Sequence, residues 1–282
     1  MASELLQELI DAGIHFGHRA SRWNPKMRPY IFGKRNLIHI IDVKQTLKGI
    51  LLAKRFLAQV VASGKDVLLI GTKRQAKKTV EENALRVGMH FVNDRWLGGT
   101  LTTFREIRRR IGRLDQLEAL EAEGQLDTYS KKQGAALRRE VRKIRRNLQG
   151  IRRMERMPGA MVIIDQRREI IAIREANKMG IPVVALLDTD GDPDMVDIPI
   201  PGNDDAMRSI ELVVRQLCDA MAEGAHVRQE QAAAQAQEEA PRRRSRRLAT
   251  SQAFDADDKP VVPQAPAEPA AVEPAPVQEA NQ

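Results

Sequence analysis

The sequence predicts an α/β fold, a parallel β-sheet sandwiched by helices, and three observations carry that expectation. Short apolar runs of the buried-strand kind recur at Val67–Ile70, Met161–Ile164 and Pro182–Leu187. Amphipathic stretches lie between such runs, and glycines at 64, 88 and 180 stand where helices stop. One segment breaks the alternation. Leu137, Val141, Ile144, Leu148 and Ile151 step four, three, four, three, the seam of a coiled coil. The expected architecture is therefore Rossmann/flavodoxin-like, with an inserted antiparallel coiled-coil helical hairpin and a disordered C-terminal tail. Its parts are a discontinuous sheet domain (1–100 and 157–224), the hairpin (101–156) and the tail (225–282).

Each element follows from local chemistry. Ser3 can cap a short helix that buries Leu5, Leu6, Leu9 and Ile10 and stops at Gly13. A basic loop follows, and then Leu37–Ile41 reads as a strand. Asp42 suits the N-cap of a long helix ending before Gly64. After the strand at 67–70, a helix from about Arg74 to Val87 stops at Gly88, and Phe91-Val92 is a brief strand. Strand signals then vanish between Leu101 and Arg156. Phe104, Ile107, Ile111 and Leu114 mark a first long helix, Gly124–Ser130 a turn, and Lys131–Arg156 a second arm. Beyond the strand ending at Asp165, Glu169–Lys178 is helical, Ile198–Ile200 is a short strand, and Asp204–Met221 is the last helix. From Ala225 the composition collapses to Ala, Gln, Glu and Pro, too poor in apolar residues to offset chain entropy.

Charge narrows the function. The 282 residues carry a formal charge of +8, with a pI near 9.8, which suits a polyanionic partner. The tail from Ala225 holds seven Lys/Arg against nine Asp/Glu, so the basic excess lies on the folded part. Within the tail, five arginines surround Ser245. The single cysteine, Cys218, excludes an intrachain disulfide and fits a reducing cytosol. No apolar run is long enough for a membrane span or a signal peptide, so a soluble, cytoplasmic protein is expected.

The densest chemistry lies between Gly13 and Asp42. Arg19, Arg22, Lys26, Arg28, Lys34 and Arg35 alternate there with His15, Phe16, His18, Trp23, Tyr30, Phe32 and His39, and no acid interrupts them. Cations neutralise phosphates and flat rings stack on bases, so this reads as an RNA-binding surface. Pro25 and Pro29 stiffen it in advance. The hairpin is charge-polarised: its second arm has eleven basic residues against Glu140 and Glu155, while Asp115–Asp127 has five acids and no base.

Enzyme signatures are missing. There is no GxGxxG after a strand, no GxxxxGK[ST], HExxH, GxSxG or CxxC. Gly71–Lys78 stands at a strand-to-helix turn with Lys73, Arg74, Lys77 and Lys78, which suits a backbone phosphate of RNA better than a cradled nucleotide. Gly98-Gly99-Thr100 offers a second flexible anion site. Asp188, Asp190, Asp192, Asp194, Asp197, Asp204 and Asp205 could form a carboxylate site with His15 or His18, or simply make turns and caps. The two histidines read as hydrogen-bonded loop anchors, Trp96 as core, and Cys218 as packed. No metal and no cofactor are expected.

These words also carry a resemblance. Gly13–His18, Trp23–Met27 and Tyr30–Gly33 resemble the N-terminal signature of the bacterial small-subunit ribosomal protein S-two family. The likeness continues through Gly71–Lys73, Asn93–Gly99, Ala172–Ala176, Gly180–Val184 and Ile198–Ala206, over about residues 3–222. Asp190-Gly191-Asp192 departs from the family's Asn-Cys-Asp or Asn-Ser-Asp, so no role is carried to that loop.

The resemblance implies a parallel α/β sheet with a protruding coiled-coil hairpin and no enzymatic activity. It also implies binding to small-subunit ribosomal RNA where head meets body, and help in seating ribosomal protein S-one. One copy per subunit beside neighbouring ribosomal proteins is expected, without homo-oligomers.

The combined expectation is a bipartite RNA clamp. The sheet domain would contribute Arg19, Arg22, Trp23, Lys26, Arg28, Lys34, Arg35, Lys73, Arg74, Lys77, Lys78 and Arg95. The hairpin would add Arg105, Arg108, Arg109, Arg138, Arg142 and Arg145. The rivals are a sheet-domain enzyme or sensor for a sugar phosphate or nucleotide, and a free RNA chaperone.

Overall fold

A computed structural model describes residues 2–124 and 128–252, with side chains at 4–124, 128–231 and 233. The chain divides into two units, Met1–Ala232 and Ala233–Gln282. Every element that positions the site lies in the first.

Strands β4 (Val67–Ile70), β5 (His90–Val92), β6 (Ala160–Ile164), β7 (Val183–Leu187) and β8 (Ile198–Pro201) form a five-stranded sheet in the order β5-β4-β6-β7-β8. All its pairings are parallel. β4 to β7 are buried along their whole length, as a sheet covered on both faces requires. Alternate residues feed two cores. Val67, Leu69, Val162, Ile164, Val184 and Leu186 pack with α2 (Val43–Ala62), α3 (Lys77–Val87) and the start of α7 (Met207–Gln252). Leu68, Ile70, Met161, Ile163, Ala185 and Leu187 pack with α6 (Ile170–Met179) and with the base of the hairpin.

Local chemistry sets the helix ends. The Asp42 carboxylate accepts the Lys44 N–H at 3.0 Å and caps α2. Gly88 and Gly180 close α3 and α6 in the left-handed conformation, at φ 72° and 67°. α1 (Ala2–Asp11) begins ahead of Ser3, and α3 begins three residues after Arg74, because Arg74–Ala76 form a turn.

The hairpin helices are α4 (Phe104–Ala122) and α5 (Lys131–Leu148), which share a small core of Leu114, Leu117 and Val141. Residues 125–127 of the expected turn lie outside the described set. α5 stops at Leu148 instead of continuing to Arg156, and a 3-10 turn follows at Gln149–Ile151. There the backbone of Gly150 presses on edge strand β5, where a Cβ would collide with the Phe91 carbonyl oxygen. That approach covers an edge that would otherwise present unpaired groups.

Two expectations change. The basic segment is a loop only in part: β1 (Phe16–Arg19), β2 (Ile31–Arg35) and β3 (Ile38–Ile41) form a separate antiparallel sheet, ordered β1-β3-β2, and 3-10 turns at Ala20–Arg22 and Pro25–Tyr30 join β1 to β2. The strand at 38–41 therefore belongs to this sheet and not to the parallel one. Asn36 and Leu37 close its hairpin with φ 49° and 63°, the paired left-handed residues of a two-residue turn. The second change is α7, which starts at Met207 and runs to Gln252, where disorder was expected from Ala225. Ala, Gln, Glu and Arg rank among the best helix formers, so a helix can extend without a core beneath it. The remainder of the expected disorder, 253–282, lies outside the described residues. Among the described residues, no helix is long and apolar enough to cross a membrane.

Gly150→Ala forces the hairpin base away from β5. It is expected to cost about 1–3 kcal/mol in chemical denaturation, the usual range for overpacking a tight contact.

Candidate nucleic-acid interface

The site begins at the carboxyl ends of β4 and β6, where the strand order reverses and open α/β sheets place their ligands. Here that place is filled from within. Lys73, in the turn after β4, is buried, and its ammonium lies 2.8 Å from Asp204, 2.7 Å from Asp205 and 3.4 Å from Asp165. Burial works against its charge, but the carboxylates prevail and push its pKa above the usual lysine range. Asp204 is pushed up to about 7 by burial and by the neighbouring Asp165, against the pull of Lys73. Asp165 takes the left-handed conformation (φ 66°) to enter this group. Lys73, expected at an RNA phosphate, is therefore an internal counter-ion.

The same cluster mounts the basic sheet. The His18 N–H donates to Asp188 and to the Thr189 hydroxyl, each at 3.1 Å. The His18 ring places Nδ1 2.7 Å from Asp188 and Nε2 3.6 Å from Asp205. The hydrogen bond to Asp188 raises its pKa to about 9 despite partial burial, so the ring is a cation at neutral pH. Nearby, the Asn24 N–H donates to the Thr189 carbonyl at 2.8 Å, and Lys26 pairs with Asp192 and Asp194 at 2.9 and 2.8 Å. His18 is thus the anchor its sequence suggested, while His15 packs its ring 4.1 Å from that of Phe16.

One constellation could offer metal ligands. One atom each from His18, Asp188 and Asp204 lies within 4.8 Å of the others. Of the two histidines that the sequence offered for a carboxylate site the set holds His18, and Lys73 and protonated His18 offset the charge of Asp188 and Asp204. A sugar phosphate entering this crevice would meet four carboxylates, which argues against the enzyme rival.

The second expected anion site is also filled. Gly99, Leu101 and Thr102 present their N–H groups to a carboxylate, but it is Glu175 of α6, at 2.8, 3.0 and 3.3 Å. Trp96 adds its indole N–H to Glu175 at 3.1 Å and is buried. Burial penalises the Glu175 charge, but these donors outweigh it and hold the pKa below the ordinary glutamate value. No local pattern points to this partner, which lies on a helix more than seventy residues away.

The remaining cations divide into two groups. Arg19, Arg22, Arg28, Lys34, Arg35, Arg74, Arg95, Arg105 and Arg142 are exposed and form no ion pair among the described residues. Others are engaged. Lys77 pairs with Asp94 at 2.6 Å, Lys78 with Glu82 at 3.6 Å, Arg109 with Glu106 at 3.0 Å and Arg145 with Glu118 at 2.8 Å. Arg138 is exposed and takes part in a further interaction. Arg108 turns inward, donating to the carbonyls of Arg152 and Met154 at 3.1 and 3.2 Å, so it ties the two arms together. Trp23 is half-buried with its ring 5.2 Å from that of His39, which leaves little of it for a base. Phe16 and Phe32 are instead the exposed rings of the small sheet, at 51% and 81%.

The chain is thus a parallel α/β sheet whose ligand crevice is closed by its own charges and which carries a basic antiparallel sheet and a basic hairpin. Comparison with known proteins is specific. The family model for ribosomal protein S2 matches residues 9–224. A small ribosomal subunit protein uS2 of Rhodopirellula baltica is 56% identical over 237 residues, covering 84% of this chain and 91% of that protein. The uS2c of Cyanophora paradoxa is 51% identical over 228 residues (81% and 98%), and the uS2 of Synechocystis is 51% identical over 221 residues (78% and 82%). The chain belongs to the ribosomal protein S2 family, a family of structural proteins and not of enzymes.

His18 gives a pH test. Its folded pKa lies above the ordinary 6.5, so its contribution to stability is complete below about 6.5 and is lost as pH rises through about 9. The melting midpoint of the full chain should fall over that window, and His18→Gln should remove most of the fall. An identical decline in the variant would assign it to other groups.

Proposed function

We propose that the chain is a structural constituent of the small ribosomal subunit that binds small-subunit ribosomal RNA at the junction of head and body and supports docking of ribosomal protein S-one. Family membership supplies the structural ribosomal role and places it in translation. The observation that carries the RNA reading is the acid-free stretch between Gly13 and Asp42, with Arg19, Lys34 and Arg35 exposed on an antiparallel sheet and Arg22 and Arg28 exposed on the 3-10 turns that join β1 to β2. Such a surface neutralises phosphates on arrival and pays little ordering entropy, because the sheet and its prolines fix it beforehand.

The hairpin, 101–156, acts as the second arm of the clamp. Arg105, Arg109, Arg138, Arg142 and Arg145 are its outward cations, and the sheet domain adds Arg74, Lys77, Lys78 and Arg95. Lys73 and Arg108 leave the contact set, since both are spent inside the protein. One copy sits in each subunit in the cytoplasm, beside other small-subunit proteins and without a cofactor. A free RNA chaperone would need no such rigid mounting of its basic face.

Replacing Arg22, Arg28 and Arg35 together with Ala should weaken binding of the full chain to its small-subunit ribosomal RNA. The slope of log affinity against log salt should shrink by about two to three. An unchanged slope would remove the small sheet from the phosphate contacts.

A further inference from the structure

Several of the proposed RNA-facing cations are paired with acids, and Asp94 differs from Glu82, Glu106 and Glu118 in holding one cation from each arm. Asp94 lies in the loop after β5. One of its oxygens takes the Lys77 ammonium at 2.6 Å, at the start of α3, and the other takes the Arg146 guanidinium at 2.8 Å, from α5. Lys77 belongs to the sheet domain and Arg146 to the hairpin, so one carboxylate draws together the cations of both arms. Arg145, held by Glu118 at 2.8 Å, lines the same cleft of about 270 Å³, as does Glu81, whose carboxylate accepts the Asn93 amide at 2.7 Å.

Stability gives a weak account of this arrangement. Arg146 is 69% exposed and Lys77 37%, and ion pairs that open to water contribute little. The hairpin base is already fixed by Ile107, Ile111, Leu148 and Ile151, all packed into the core. What the carboxylate does accomplish is geometric and electrostatic. It fixes two flexible cations at one point, and it cancels their charge towards a phosphate that meets only one of them. Arginine and lysine converging in this way form a seat for a phosphodiester oxygen, reached by exchanging carboxylate for phosphate.

We propose that this cleft is a backbone-phosphate seat and that Asp94 is a specificity-determining residue for it. RNA that engages both the sheet domain and the hairpin gains enough to displace or share the carboxylate. RNA that touches one arm does not. The inference rests on the RNA-binding reading above and assigns to it a mechanism of discrimination.

The test uses the full chain, a transcript of its small-subunit ribosomal RNA and an unrelated RNA duplex, titrated across a salt series. Asp94→Asn keeps the shape and removes the charge. It is expected to bind the unrelated duplex about five- to tenfold more tightly, with a salt slope steeper by about one to two. Its affinity for the ribosomal transcript should rise less, so the ratio between the two falls. Lys77→Ala with Arg146→Ala should weaken ribosomal RNA binding, with an unchanged melting midpoint showing that the fold survives.

An unchanged ratio in Asp94→Asn overturns the proposal, as does full ribosomal RNA affinity in the double variant. Saturable binding of inorganic phosphate, lost in the double variant while RNA binding persists, makes the cleft a free-phosphate site and also overturns it. Failure of the parent protein to bind the transcript strikes instead at the underlying RNA reading, whatever Asp94→Asn does.

Discussion

The Lys73 ammonium, held by Asp204, Asp205 and Asp165, is the interaction on which the rest of the molecule depends. A buried cation is costly unless its partners are close and well placed. The cost is offset here by joining three separate stretches of chain at one point: the turn after β4, the turn after β6 and the approach to α7. Asp205 and Asp188 then extend the network to His18, and through it to the antiparallel sheet. Removing Lys73 leaves three carboxylates facing one another, so the cluster acts as a joint and not as a set of independent pairs.

This joint occupies the place where an open parallel sheet ordinarily receives a ligand. This chain has a Rossmann-like parallel sheet with its crevice closed by its own side chains. Glu175 closes the second potential anion site in the same manner, by giving the glycine-rich loop a carboxylate of its own. In the proposed function, binding falls instead to exposed cations on the small sheet and its turns and along the hairpin. Asp94 lies at the wall of a cleft between the two arms, and Glu118 holds Arg145 of the same cleft from outside it, so each sets the geometry of the cations it neutralises.

Features governed by neighbours in sequence were legible in it. The buried strands announced themselves as β-branched apolar runs, Asp42 as a cap, and Gly88 and Gly180 as left-handed stops. The helical spacing placed Leu114 and Val141 inside, where they share a small core with Leu117, while Leu148 and Ile151 of the same series pack into the core beneath the sheet. Features set by distant partners were hidden. Nothing near Lys73 shows that it turns inward, because its carboxylates come from two later turns. Arg108 looked like its helix-face neighbours until the carbonyls of Arg152 and Met154 were placed beside it. The small sheet was missed because proline, glycine and dense charge erase the two-residue alternation. The end of α5 was missed because only the approach of Gly150 to β5 stops it. In the tail, weighing core burial alone overlooked the intrinsic helix preference of Ala, Gln, Glu and Arg.

The central claim is that the Lys73 cluster mounts the basic sheet on the parallel one. Hydrogen–deuterium exchange of the full chain carrying Lys73→Met tests it most directly, because it reads the two sheets separately. The account predicts faster exchange in 16–41 and 199–206, with the amides of β4, β6 and β7 still protected. Retained protection in 16–41, or a uniform rise across both sheets, would contradict it.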